Sequence, residues 1–148
     1  MRKVRQLEVK ISQYQENIQE LEAEIRKHEQ NYESLRMFKG TVEISQGEFN
    51  DITNQRKNIL EELEVIEMHS ITTQRYSNGM NHVLNGIGAK IVGGVYPALL
   101  FEISCKMQSY INSITDCEME ISRYRNTIGS LEADLQEAKK EEQSGRNR

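Results

Sequence analysis

Residues 4–35 read VRQLEVKISQYQENIQELEAEIRKHEQNYESL, and residues 103–138 read ISCKMQSYINSITDCEMEISRYRNTIGSLEADLQEA. In the first stretch Val4, Leu7, Ile11, Tyr14, Ile18, Leu21, Ile25, His28, Tyr32 and Leu35 recur in steps of three and four that never slip. In the second, Ile103, Met107, Tyr110, Ile114, Cys117, Ile121, Tyr124, Ile128, Leu131, Leu135 and Ala138 do the same. Such spacing is a coiled-coil seam. With Val4 as position a, β-branched residues take most a sites and Leu7, Leu21 and Leu35 take d, while Glu, Gln, Lys and Arg fill the other faces. The pattern predicts an all-α chain, an elongated antiparallel helical hairpin or coiled coil with a Gly-rich helix-turn segment between its limbs.

In an antiparallel pairing Val4 meets Ala138, Ile11 meets Leu131, Tyr14 meets Ile128, Ile18 meets Tyr124 and Ile25 meets Cys117. Lys3 with Glu141, Glu8 with Lys139, Lys10 with Asp134 and Glu22 with Arg125 then attract, while Glu24 with Glu120 and Glu29 with Glu118 repel. A parallel pairing scores almost as well on charge. Exposed pairs contribute about 0 to 1 kcal/mol each and a buried Ile or Leu about 1.5 to 3, so the apolar seam decides whether the limbs pair and charge only biases how.

The 148 residues are long enough for one domain, and 28% charged residues with a mean hydropathy of -0.71 point to a thin core. A single proline, no Trp, six Tyr and three Phe fit long helices. A net charge of -4 is too acidic for a protein that grips phosphate backbones, so nucleic acid is not expected as a partner. Met1, Arg2, Lys3, Val4 and Arg5 lead straight into the charged repeat without the apolar core of a secretory signal. Cys105 and Cys117 are twelve residues apart on one expected helix, about 18 Å at ~1.5 Å per residue and beyond disulfide reach. A reduced, cytoplasmic place of synthesis is the expectation.

Between the limbs the sequence suggests breaks. The first helix is expected to end near Lys39 and Gly40, giving a heptad helix over 1–40. Ser45 with Glu48 makes a capping box and Ile44 with Phe49 has the spacing of a staple, so a second helix is expected over 45–76. Phe49, Ile52, Ile59, Leu63 and Ile66 give it a seam, and Ser77, Asn78 and Gly79 a stop. A Gly-rich turn and helix over 77–97 follows, where Pro97 predicts a kink or a fresh start. A long heptad helix over 98–140 and a disordered tail over 141–148 complete the plan, all as one helical domain. Whether it forms a single hairpin or a three-helix bundle stays open.

Catalysis needs convergent groups, and no phosphate-binding Gly loop, zinc spacing of Cys and His, or nucleophile elbow is present. No catalytic residue, cofactor, metal or small-molecule substrate is expected. His28 at a d position reads as an amphipathic filler, in preference to a pH switch or a metal ligand beside Cys117, because one His with one thiol falls short of a stable ligand set. The run Glu61, Glu62, Glu64 and Glu67 reads as a solvated face.

The apolar stretch from Val83 to Phe101 resembles a membrane span in hydropathy, but Asn85, Lys90, its glycines and Pro97 argue for buried packing instead. In helical form Gly86, Ala89, Gly93 and Pro97 make a shallow strip that lets another helix approach closely, beside a ridge of Ile87, Ile91, Val95 and Leu99. The expected partner-binding residues are therefore Gly86, Ile87, Ala89, Ile91, Gly93, Val95 and Leu99.

A heptad helix, a second helix, the Gly-rich run from Ser77-Asn78-Gly79-Met80 to Gly94 and a long closing heptad helix are similar to the YwqH-like family. These are small α-helical partners of LXG toxins in type VII secretion, and they distantly resemble WXG-type hairpins. Leu84-Asn85-Gly86 stands where a W-x-G-like turn would have its Trp. None of the nine Tyr and Phe residues is followed four positions on by an acid, the pattern of that export signal. The resemblance implies a non-enzymatic adaptor or chaperone in a hetero-oligomer with the helical N-terminal region of a toxin, cytoplasmic or co-exported with it. A self-assembling structural coiled coil is the alternative.

Overall fold

The computed structural model describes residues 2–65 and 71–146. Three helices occupy them: α1 (Arg2–Val65), α2 (Ile71–Asn85) and α3 (Ile87–Arg146), with no strand among the described residues. The chain divides into two compact units. Unit 1 comprises Met1–Glu33 and Gln108–Arg148, and unit 2 comprises Ser34–Met107.

In unit 1 the two seams pair antiparallel. Ile11, Ile18, Ile121 and Ile128 form the buried cluster, and Tyr14, Leu21, Ile25, Tyr124, Leu131 and Leu135 pack against it. Every seam position between Val4 and Tyr32 is buried or half-buried, and so is every one between Tyr110 and Ala138. Arg125 reaches Glu22 at 3.5 Å and Lys139 reaches Glu8 at 3.7 Å, two of the pairings expected of the antiparallel arrangement. The Tyr14 ring packs on Tyr124, with centroids 5.4 Å apart, one turn away from the expected Ile128.

Unit 2 corrects the helix boundaries. The expected break between residues 40 and 45 is absent: α1 is one helix from Arg2 to Val65, and Gly40, Ser45 and Gly47 lie inside it. The heptad explains why. Counting on from Val4 and Leu7, the a positions become Lys39, Gln46, Thr53 and Leu60 and the d positions Val42, Phe49 and Arg56, and all but the exposed Arg56 are buried or half-buried. Ile52 and Ile59, assigned to the seam from sequence, stand beside it at 51% and 49% exposure. The side chain of Leu63 is not described, and Ile66 lies outside the described residues. The apolar pattern fades where Lys39, Gln46 and Thr53 take core positions, and after Thr53 the half-buried place falls on Lys57 and not Arg56 before the seam resumes at Leu60.

Ser77, Asn78 and Gly79 do not stop a helix either, because they lie inside α2. The break comes at Gly86, whose carbonyl accepts the hydrogen bond of the Lys90 N–H at 3.2 Å and so opens α3. From there α3 runs through Gly88, Gly93, Gly94 and Pro97 to Arg146, so Pro97 neither starts a helix nor ends one, and residues 141–146 of the expected tail are helical. An interior proline costs about 3 kcal/mol, an amount that burial of Ile103 and Met107 just beyond it offsets.

Candidate functional site

Read backwards from Ile103, the α3 heptad passes through Leu100, Tyr96, Gly93, Ala89 and Gly86, each half-buried. The strip of small residues is therefore the continuation of the α3 seam. A Cβ placed on Gly93 would come within 3.9 Å of the Phe49 ring of α1, and Phe49 packs on Tyr96 with centroids 5.8 Å apart. Gly93 therefore faces the chain's own α1, where its missing side chain leaves room for the Phe49 ring.

Beside this seam a cleft of about 640 Å³ opens within unit 2. Phe49, Ile52 and Arg56 of α1 form one wall, and Val83, Ala89 and Val92 stand opposite. Gly86 and Ala89 thus line a cleft as well as a seam, and the exposed His82 also borders it.

The outward face of α3 is different. Ile91, Val95 and Phe101 are 62%, 54% and 70% exposed, and Gly94 and Ala98 between them are exposed too. Positions 91, 94, 95, 98 and 101 fall on one side of a helix. Of the expected partner-binding residues, Ile91 and Val95 stand on this face, Leu99 is half-buried beside it, and the side chain of Ile87 is not described. Gly94, Ala98 and Phe101 were missed, although i, i+3, i+4 spacing from Ile91 would have found them.

Exposed apolar side chains are not spread evenly. Among the described residues, Val9, Ile111 and Met119 are the large ones exposed in unit 1, while unit 2 exposes twelve, from Met37 to Phe101. Apolar side chains left exposed in such numbers are a feature of surfaces that bind other molecules. An 18-residue window within Gln74–Arg146 has a mean hydropathy of 1.4 with none of its residues buried, which by length and composition alone would cross a membrane.

Unit 1 holds a second cluster. Cys117, buried on α3, donates its thiol to Glu24 Oε2 at 3.6 Å. Burial pushes the thiol pKa up, and the Glu24 hydrogen bond with the charges of Glu24, Glu120 and Asp116 pushes it further. His28 packs on Tyr110 with centroids 5.8 Å apart. Tyr124 donates its hydroxyl to Glu120 at 3.0 Å, which raises its pKa. Because the thiolate is the reactive form, exposed Cys105 should alkylate at pH 8 about ten times faster than Cys117 or more. Mass spectrometry of a brief iodoacetamide pulse reads this, and equal labelling would contradict the burial of Cys117.

Compared with protein-family models, curated proteins and solved structures, the chain matches none.

Proposed function

We propose that the chain is a non-enzymatic helical adaptor that receives an apolar helix of a partner protein on the α3 face of Ile91, Gly94, Val95, Ala98 and Phe101. The observation that carries this reading is the exposure of that face, at 62% for Ile91 and 70% for Phe101, in a chain whose seams are already satisfied. Gly94 and Ala98 leave a shallow track between the larger side chains, a shape suited to helix-in-groove recognition. The resemblance to partners of LXG toxins nominates the helical N-terminal region of such a toxin as the occupant, met in the cytoplasm before export.

Co-expression with an LXG-type protein from the same gene neighbourhood should give a complex that survives size exclusion. Ile91→Glu combined with Val95→Glu should weaken it by about a hundredfold while helicity stays at the wild-type level, since each exposed position loses one buried apolar contact and gains a charge to desolvate. Unchanged affinity would move the interface elsewhere. A concentration-dependent homo-oligomer that needs no second chain, read by light scattering, would favour the self-assembling alternative, and flotation with anionic liposomes would favour the membrane surface.

A further inference from the structure

Glu24 and His28 stand one turn apart on α1, and Cys117 of α3 meets them across unit 1. A carboxylate oxygen, an imidazole nitrogen and the thiol sulfur all lie within 4.8 Å of one another. Zinc bonds of about 2.0 to 2.3 Å place neighbouring ligand atoms of a tetrahedral site roughly 3.3 to 3.8 Å apart. The 3.6 Å between Cys117 Sγ and Glu24 Oε2 already has that spacing. The third ligand atom needs to close in by only about 1 Å, within reach of a small side-chain rotation.

A second observation is independent of this spacing. Nδ1 of His28 is buried with no hydrogen-bond partner, at a d position where a heptad ordinarily places Leu. Buried polar atoms are nearly always satisfied, so an orphan in a seam calls for a specific explanation, an unplaced ion among them. The sequence offered two ligands, one His and one Cys; the fold adds Glu24 as a third.

We propose that Glu24, His28 and Cys117 form a zinc site, with water as the fourth ligand. Sulfur, imidazole and carboxylate together suit Zn²⁺ and disfavour Mg²⁺ or Ca²⁺, which take oxygen ligands. On binding, the S–H bond of Cys117 breaks, its proton leaves to solvent, and an S–Zn bond forms with no change of oxidation state. The acidic surroundings of Glu24, Glu120 and Asp116, which disfavour a bare thiolate, favour a dication. Because the ligands come from α1 and α3, the ion would staple the two seams of unit 1 together.

The test is a Co²⁺ titration of reduced, full-length protein carrying Cys105→Ser, which removes the exposed thiol as a competitor. The expected result is saturation at one cobalt per chain, with a near-ultraviolet thiolate-to-cobalt band and visible bands of tetrahedral intensity, both bleached by Zn²⁺. Cys117→Ser should abolish the near-ultraviolet band, and Glu24→Gln or His28→Gln should each weaken binding by about tenfold or more. Zn²⁺ should also raise the melting temperature of the Cys105→Ser protein and leave that of His28→Gln unchanged. Glu24 is exposed, so Glu24→Gln keeps the fold even where Cys117→Ser disturbs it, with circular dichroism as the check. No thiolate band at about a hundredfold excess of cobalt, a band that survives Cys117→Ser, or unchanged affinity in both Glu24→Gln and His28→Gln would overturn the proposal.

Discussion

Ile121→Asp should abolish cooperative folding of unit 1. Ile121 is 5% exposed and belongs to the cluster with Ile11, Ile18 and Ile128. Truncating a buried isoleucine to alanine already costs about 2 to 5 kcal/mol, and an aspartate adds a carboxylate with no cation among those neighbours. Set against a typical domain stability of about 5 to 15 kcal/mol, that loss leaves little. The seam cannot redistribute it, because a two-helix core has no third layer to close the gap. Thermal melts followed by circular dichroism at 222 nm should show a low, broad transition in Ile121→Asp. Met119→Asp, on the same helix at 54% exposure, should stay within about 0.5 kcal/mol of wild type. Similar melts for the two variants would mean that the α1–α3 seam is not the core of the unit.

The features legible in the sequence are those in which one physical signal acts alone. In unit 1 the seam is apolar at nearly every a and d position, and each of those positions is buried or half-buried. Charge left the direction almost open, and the structure, with Glu22 on Arg125 and Glu8 on Lys139, shows the antiparallel one. Unit 2 was harder because two signals competed. Lys39, Gln46 and Thr53 weaken the apolar rhythm while Gly40, Gly47 and the Ser45/Glu48 pair resemble helix ends, so local propensity opposes the heptad. Propensity differences are about 1 kcal/mol per glycine, less than the burial of Val42 or Leu60 returns, so the seam prevails and α1 continues.

The candidate site was half legible for the same reason. Small residues spaced three and four apart do mark a helix approach, but spacing names neither helix. The heptad phase, carried back from Ile103 to Gly86, puts Gly93 against Phe49 of α1 and leaves Ile91 and Val95 exposed. Glu24 was invisible as a ligand because it stands in the sequence as one more charge on a polar face, repelled by Glu120. Its role depends on the rotation that sets it one turn before His28 and across from Cys117.

Alanine at Gly86 should destabilise the protein by about 1 to 3 kcal/mol, the range of an overpacked site, while alanine at Gly47 should stabilise it by about 0.5 to 1. The substitution is the same and the surroundings decide its sign. At Gly47 an added Cβ meets nothing within 4 Å and the residue is an exposed helix interior, where alanine removes the entropy cost of glycine. At Gly86 the Cβ would collide with the backbone carbonyl oxygen of His82. No described residue other than glycine has positive φ, and no glycine does either, so this is a matter of close approach. The chain turns from α2 into α3 so tightly that Gly86 has no room for a methyl group. Relief requires the backbone to open at the joint, which would shift Leu84, buried at 8% exposure, and the cleft wall beside it. Chemical denaturation of the two variants measures both signs at once. A Gly86→Ala protein as stable as wild type would show that the bend tolerates a side chain, and that the joint between α2 and α3 is set by the neighbouring seam contacts instead.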